Sequence, residues 1–191
     1  MLFNSFIFFI FLTIVLPLYY YLPKNLKNPL LLISSYFFYG YWDWRFTALL
    51  ALSTVVDFYI GKALFKAKEE KKRKIFLVTS IAVNLVILGF FKYFGFFIDS
   101  FEAFGSVVGV QFDYLHLNLI LPVGISFYTF QTMSYSIDIY RKKLEPVNNF
   151  IDFAVFVSFF PQLVAGPIER ATNLLPQISK VPKPTKEQIQ Q

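Results

Sequence analysis

The stretch LPVGISFYTFQTMSYSIDIY (121–140), with FVSFFPQLVAGPIER (156–170) after it, decides how this chain is read. Both runs are apolar, yet both carry small polar residues, prolines and glycines that a plain lipid-facing helix does not need. In the first run Tyr128, Gln131, Tyr135 and Asp138 recur at i, i+3, i+7 and i+10. A helix gathers them on one face, with Thr129, Thr132 and Ser136 beside it. Hydroxyls and amides in hydrocarbon seek partners on neighbouring helices, so this face should turn inward. Two uses stay open for it: the wall of a polar tunnel or substrate pocket, or interhelical hydrogen bonding worth ~0.6 kcal/mol per contact. In the second run Gly166-Pro167 fixes a turn, because the residue before proline is pushed out of the α region. Glu169 and Arg170 follow at once, as a polar mouth or as an interfacial ion pair at a helix end.

Working outward, 56% of the 191 residues are apolar and 21% are aromatic. The mean hydropathy is +0.53. The apolar residues come in long blocks, the mark of an integral membrane protein. The absence of Cys excludes a disulfide framework and thiolate chemistry, and a single His excludes a two-His metal site within the chain. The net charge of +6 does not point to nucleic acid, since the basic residues cluster at the ends of apolar blocks.

The blocks predict a series of membrane segments. Residues 6–22 read as a retained first span, with Pro17 inside it and neither basic residues before it nor a cleavage site after it. PKNLKN (23–28) reads as a basic turn, and 30–42 as a short second run that is tilted, re-entrant or extended by its flanks. The segment YFFYGYWDWR (36–45) resembles an interfacial aromatic belt. A third span at 46–64 holds Asp57, for which Arg45 and Lys92 are candidate partners. KAKEEKKRK (66–74) reads as a solvated loop, and 75–98 as a fourth span with Lys92 able to snorkel. Residues 99–118 read as an acidic loop containing Asp99, Glu102, Asp113, GSVVG (105–109) and His116, and 119–140 as the fifth span.

Charge sets the expected topology: 66–74, Lys24, Lys27 and Arg141–Lys143 inside, the acidic loop and the N-terminus outside. Basic residues flank the last apolar run on both sides. It is therefore expected as a re-entrant or interfacial hairpin over 150–168, bent at Pro161 and at Gly166-Pro167. Pro184, Thr185 and Gln188 have the spacing of a helix start, which fits a chain cut short. The fold class is thus an all-α polytopic membrane helical bundle with a short or re-entrant segment and an incomplete core, in the cytoplasmic (inner) membrane. Residues 1–178 form the embedded part and 179–191 a polar cytoplasmic tail.

Four segments, SFIFFIFLTIVLPLYYYLP (5–23), SYFFYGYWDWRF (35–46), LPVGISFYTFQTMSYSIDIYR (121–141) and FFPQLVAGPIER (159–170), together carry a family resemblance. They resemble the membrane-bound O-acyltransferases, in the branch of the bacterial alginate O-acetyltransferases. The resemblance implies a membrane enzyme with a polar tunnel through a thin central region. It implies transfer of an acyl group, typically acetyl, from a cytoplasmic donor, acetyl-CoA or an acyl carrier. The acceptor is a cell-surface polysaccharide such as alginate, often through an extracytoplasmic partner protein. Neither a permanently bound cofactor nor a metal is implied. Tyr128, Gln131, Tyr135 and Asp138 would line the tunnel and Glu169 and Arg170 would shape its cytoplasmic mouth, by positioning and hydrogen bonding. The family's catalytic His lies on a later helix than this chain reaches. His116 does not occupy that motif and is given no role. The expectation is an N-terminal portion of such an enzyme, inactive alone. Rivals are a small transporter or channel, which usually shows internal repeats not evident here, and a non-catalytic membrane scaffold.

Overall fold

The computed structural model describes residues 5–108, 122–163, 166 and 169–180, and among them every regular element is a helix. The chain opens with α1 (Phe6–Tyr21), capped where Ser5 Oγ accepts from the Phe8 amide at 3.3 Å. It ends at Leu22, which Pro23 holds extended. The segment 23–28, expected as a turn, is the start of α2 (Lys24–Asp43). Pro23 has its φ pre-set for this entry, and it lengthens the short apolar run to 20 residues, about 30 Å.

Only Trp44 separates α2 from α3 (Arg45–Lys66). Arg45 Nη2 reaches Asp43 Oδ2 at 2.6 Å across this joint, which occupies the arginine once considered for Asp57. A Cβ added at Gly40 would lie 3.2 Å from Thr47 Cγ2, so the absent side chain allows the two helices their close approach.

The basic segment at 66–74 is mostly helix: only 67–69 separate α3 from α4 (Glu70–Val108). No proline interrupts this helix, so it runs for 39 residues, about 58 Å, against ~30 Å for a hydrocarbon core. Residues 99–108, expected in a loop, are its last turns, and Lys92 is exposed as snorkelling requires. The remainder of the expected acidic loop, with Asp113 and His116, lies outside the described residues.

The fifth apolar block becomes α5 (Ile125–Tyr140) and starts later than its hydropathy indicates. Gly124 precedes it with φ of 78°, and a Cβ there would lie 2.5 Å from the Leu163 carbonyl oxygen. At its other end Lys143 N donates to Asp138 O at 2.9 Å and Lys142 N to Ile139 O at 3.0 Å. These are the paired bonds of a Schellman turn, with Lys142 at φ 59°.

Arg73, expected in a solvated loop, is buried and closes the ends of two helices. Its guanidinium donates to Tyr140 O at 2.8 Å, Ile139 O at 3.3 Å and Leu64 O at 3.4 Å. Carbonyls at helix C-termini have no partner within their own helix, and a cation there satisfies several at once.

Asn149 caps α6 (Phe150–Ser158), which is followed by α7 (Phe160–Leu163) and α8 (Ala171–Lys180). The break falls at Phe159, two residues before the Pro161 expected to cause it. An unbroken helix would need the Pro161 nitrogen to donate to the Val157 carbonyl, which proline cannot do, so the chain turns out first.

Side-chain pairs set the directions. Antiparallel neighbours are α1 and α2 (Phe11 on Phe38), α3 and α4 (Asp57 on Ser80 and Asn84), α4 and α5 (Ser80 on Ser136, Asn84 on Thr132), and α5 and α6 (Tyr135 on Phe153, Gln131 on Phe156). Helix α6 is only about 13 Å long and sits in the middle, with residues 152–158 all buried. Asn28 Nδ2 donates both to Asp152 at 2.7 Å and to the Ile178 carbonyl at 3.1 Å. The start of α6 and the end of α8 thus meet the first turn of α2. Residues 150–180 enter and leave at one end of the bundle, which also holds Lys24, Lys66 and Arg141. The segment whose two ends meet at one end of the bundle therefore runs to Lys180, beyond the 150–168 expected for the hairpin.

By length and composition α3 and α4 suffice to cross a membrane, while α1 and Phe150–Leu163 are shorter apolar helices. Arg73→Met is expected to cost about 2 kcal/mol by leaving buried carbonyls unpaired. Thermal unfolding in detergent measures this, and an unchanged midpoint would remove the capping role. Gly124→Ala should likewise cost about 1–3 kcal/mol, through strain at positive φ and the approach of Leu163.

Candidate functional site

Helix α5 presents two polar faces to different neighbours. Toward α3 and α4 stand Thr132 and Ser136, which sequence spacing placed only beside the main face. Here Asn84 Nδ2 donates to Asp57 Oδ1 at 3.0 Å and Oδ2 at 2.8 Å. The Ser80 hydroxyl donates to Asp57 Oδ1 at 2.7 Å and lies 2.9 Å from Ser136 Oγ. Thr132 Oγ1 donates to Asn84 Oδ1 at 3.1 Å. Asp57 is fully buried and held by neutral donors, not by Arg45 or Lys92. A carboxyl group on α3 met by a hydroxyl and an amide of α4, which in turn meet hydroxyls of α5, links the three helices through contacts worth ~0.6 kcal/mol each on average.

Toward α2, α6 and α7 stand Tyr128, Gln131, Tyr135 and Asp138, all buried, so the face turns inward. Two of the four have clear structural duties. Gln131 Nε2 donates to the Phe156 carbonyl at 2.8 Å, and the Phe160 amide donates to Ser35 Oγ at 3.2 Å. Those are the two backbone groups that the break at Phe159 separates, and burial obliges them to find partners. Tyr135 Oη accepts from the Val147 amide at 3.2 Å, and its ring lies 4.6 Å from that of Phe153. Gly61 makes room for it, since a Cβ there would stand 2.7 Å from Tyr135 Cε1.

The other two residues are different. Tyr128 Oη and Asp138 Oδ2 are buried without a hydrogen-bond partner among the described residues, as are Tyr39 Oη and Thr129 Oγ1. The Tyr39 and Tyr128 hydroxyls lie near enough to feel each other, yet neither meets hydrogen-bond geometry. Buried polar atoms left unpaired are rare, and each needs an explanation. Tyr39 was missed as a site residue because sequence placed it in an aromatic belt at the membrane surface.

Glu169 and Arg170 lie in the link before α8, partly and fully exposed. The Arg170 carbonyl accepts from Asn173 and Leu174 at 2.9 and 3.2 Å, which opens α8. Among the described residues neither side chain bonds to the α5 face. At the basic end a cavity of about 280 Å³ is lined by Lys24, Asn28, Asn149, Asp152 and Ser179. Asp152 gave a sequence signal only as an acidic residue in a helix's first turn. Its meeting with Asn28, 124 positions away, is visible only in the fold. No group of three or more potential metal ligands occurs among the described residues.

An all-α bundle of apolar helices with a short buried helix at its centre, and polar seams between its members, defines a polytopic membrane protein. The chain is 40% identical over 181 residues to a probable alginate O-acetylase, AlgI, of Azotobacter vinelandii, covering 94% of this chain and 36% of that protein. The corresponding protein of Pseudomonas aeruginosa is 40% identical, over 94% of this chain and 35% of its own length. A peptidoglycan O-acetyltransferase of Helicobacter pylori is 33% identical, over 93% of this chain and 38% of its own length. Over the part it covers, the chain is similar to these O-acetylases, and it spans about a third of the length of the relatives it matches. No family model and no solved structure matches it.

Asp57→Ala leaves Ser80 and Asn84 without their acceptor and is expected to cost about 2 kcal/mol of stability. A double-mutant cycle with Asn84→Ala should show coupling of about 1 kcal/mol. Additive losses would mean that the two side chains do not act as a unit.

Proposed function

We propose that this chain is part of the membrane core of an O-acyltransferase that modifies cell-surface polysaccharide. An acetyl group passes from a cytoplasmic thioester donor, acetyl-CoA or an acyl carrier, to a hydroxyl of the polysaccharide or of an extracytoplasmic relay protein. The acyl carbon exchanges its bond to sulfur for one to oxygen, and the donor leaves as a thiol. The names of the relatives support the chemistry, and one structural observation supports the place: Tyr128 and Asp138, on one inward face of α5, and Tyr39 of α2 each carry a buried polar atom without a hydrogen-bond partner among the described residues.

In this reading Tyr128 and Asp138 hydrogen-bond the travelling group. Gln131 and Tyr135 hold the walls that place them. Glu169 and Arg170 border the passage on the donor side. The basic end of the bundle faces the cytoplasm and the N-terminus lies outside, in keeping with the positive-inside rule. The proton-accepting imidazole comes from sequence outside these 191 residues, as the family resemblance implies.

Tyr128→Phe separates the functional role from the structural one, because among the described residues the hydroxyl it removes has only the Tyr39 hydroxyl near it and no partner in hydrogen-bond geometry. The host is a chimera in which this segment replaces the matching part of the Azotobacter O-acetylase. There Tyr128→Phe should slow acetyl transfer about tenfold, equivalent to ~1.4 kcal/mol, with the unfolding midpoint unchanged. Transfer at the parent rate would exclude Tyr128 from the passage. The 191-residue chain alone, in vesicles supplied with labelled acetyl-CoA and alginate, should transfer nothing.

A further inference from the structure

Helices α1 and α2 enclose an apolar groove of about 410 Å³ on the outside of the bundle. Ile7, Ile14 and Leu18 form one wall, and Leu30, Ile33 and Phe37 the other. These side chains are open: Ile33 is 69% exposed and Phe37 58%. A patch of this kind marks an interaction site or a lipid contact. The groove also has a direction. Leu18 and Leu30 lie at the end where α1 passes into α2. One turn further along the same α2 ridge stands Lys27, whose Nζ sits 4.7 Å from the centre of the Tyr19 ring. Tyr20 and Tyr21 are exposed beside it, where interfacial aromatics belong. No acidic side chain occupies the first turn of α2.

We infer that this groove is a binding site for one anionic phospholipid, with an acyl chain along α1 and α2 and the phosphate against Lys27. Three observations select that occupant. From Ile7 to Leu18 the α1 wall rises about 16 Å, close to one leaflet of a ~30 Å hydrocarbon core. The walls are apolar apart from Ser34 and Tyr41, which suits an acyl chain rather than a polar ligand. Lys27 stands at one end, at headgroup depth, with the exposed Lys24 one turn beyond it, and neither lies along the wall. A lysine at an anionic membrane surface favours such lipid about fivefold. The site depends on the membrane location and not on acyl transfer, so it stands or falls separately from the proposed activity.

The chain has no cysteine, so Ile33→Cys carries a single fluorescent label in the groove. The labelled full chain is placed in phosphatidylcholine vesicles, and tail-brominated lipids are titrated in as quenchers. Brominated phosphatidylglycerol should quench at about fivefold lower mole fraction than brominated phosphatidylcholine. Lys27→Gln should bring the two curves together while helicity by circular dichroism stays unchanged. Equal quenching by both lipids in the parent, or a preference that survives Lys27→Gln, overturns the headgroup contact. Absence of quenching by either lipid means that protein fills the groove, and it overturns the site. A labelled Tyr59 position on α3, exposed but away from the groove, should show no lipid preference; a preference there equal to that at Ile33 also overturns the site.

Discussion

Asn84 is the point on which three helices turn. Its amide nitrogen donates to both oxygens of Asp57, and its amide oxygen accepts from Thr132. That one side chain ties the register of α3, α4 and α5 together: a shift of α3 against α4 would take the Asp57 carboxyl from its donors, and a shift of α5 would take Thr132 from the Asn84 amide oxygen. Hydrogen bonding rather than apolar burial has to do this work. Lipid tails solvate a leucine as well as another helix does, and so they leave packing and polar contacts to specify the arrangement.

The same constraint governs the irregular backbone. Helix α6 is too short to cross a bilayer and is buried where it stops. The chain can break there only because Gln131 and Ser35 take up the carbonyl and the amide that the break releases. At the basic end Arg73 does the equivalent for the last carbonyls of α3 and α5. The break at Phe159 and the ends of α3 and α5 are thus answered by side chains from other elements. Among the described residues, buried polar atoms of Tyr39, Tyr128, Thr129 and Asp138 remain without a partner, as do single atoms of the fasteners Asn28 and Arg73.

Much of this was legible beforehand. The period of Tyr128, Gln131, Tyr135 and Asp138 defined an inward face, and the face is buried. The last apolar run is bent, and Asn28 ties the start of α6 to the end of α8. Less legible were the helix ends. PKNLKN looked like a turn because it is polar and contains proline, yet proline at a helix entry is favourable. The partners of Asp57 were sought among cations, since charge pairing is the shortest inference from sequence. The structure meets it with Ser80 and Asn84, whose isolated polarity within an apolar span drew no notice.

The sequence by itself determined the class of molecule: long apolar blocks, basic residues at their ends and a polar period on one helix leave little choice but a membrane bundle. It also carried the likeness to the O-acetylases, through the motifs around 121–141 and 159–170. Only the tertiary structure decided which polar residues are fasteners and which stay without a partner among the described residues. Both kinds share the same amino-acid types and the same helical spacing. What separates them is whether a partner waits across the interface, and that depends on residues tens of positions away, brought near only when the helices pack.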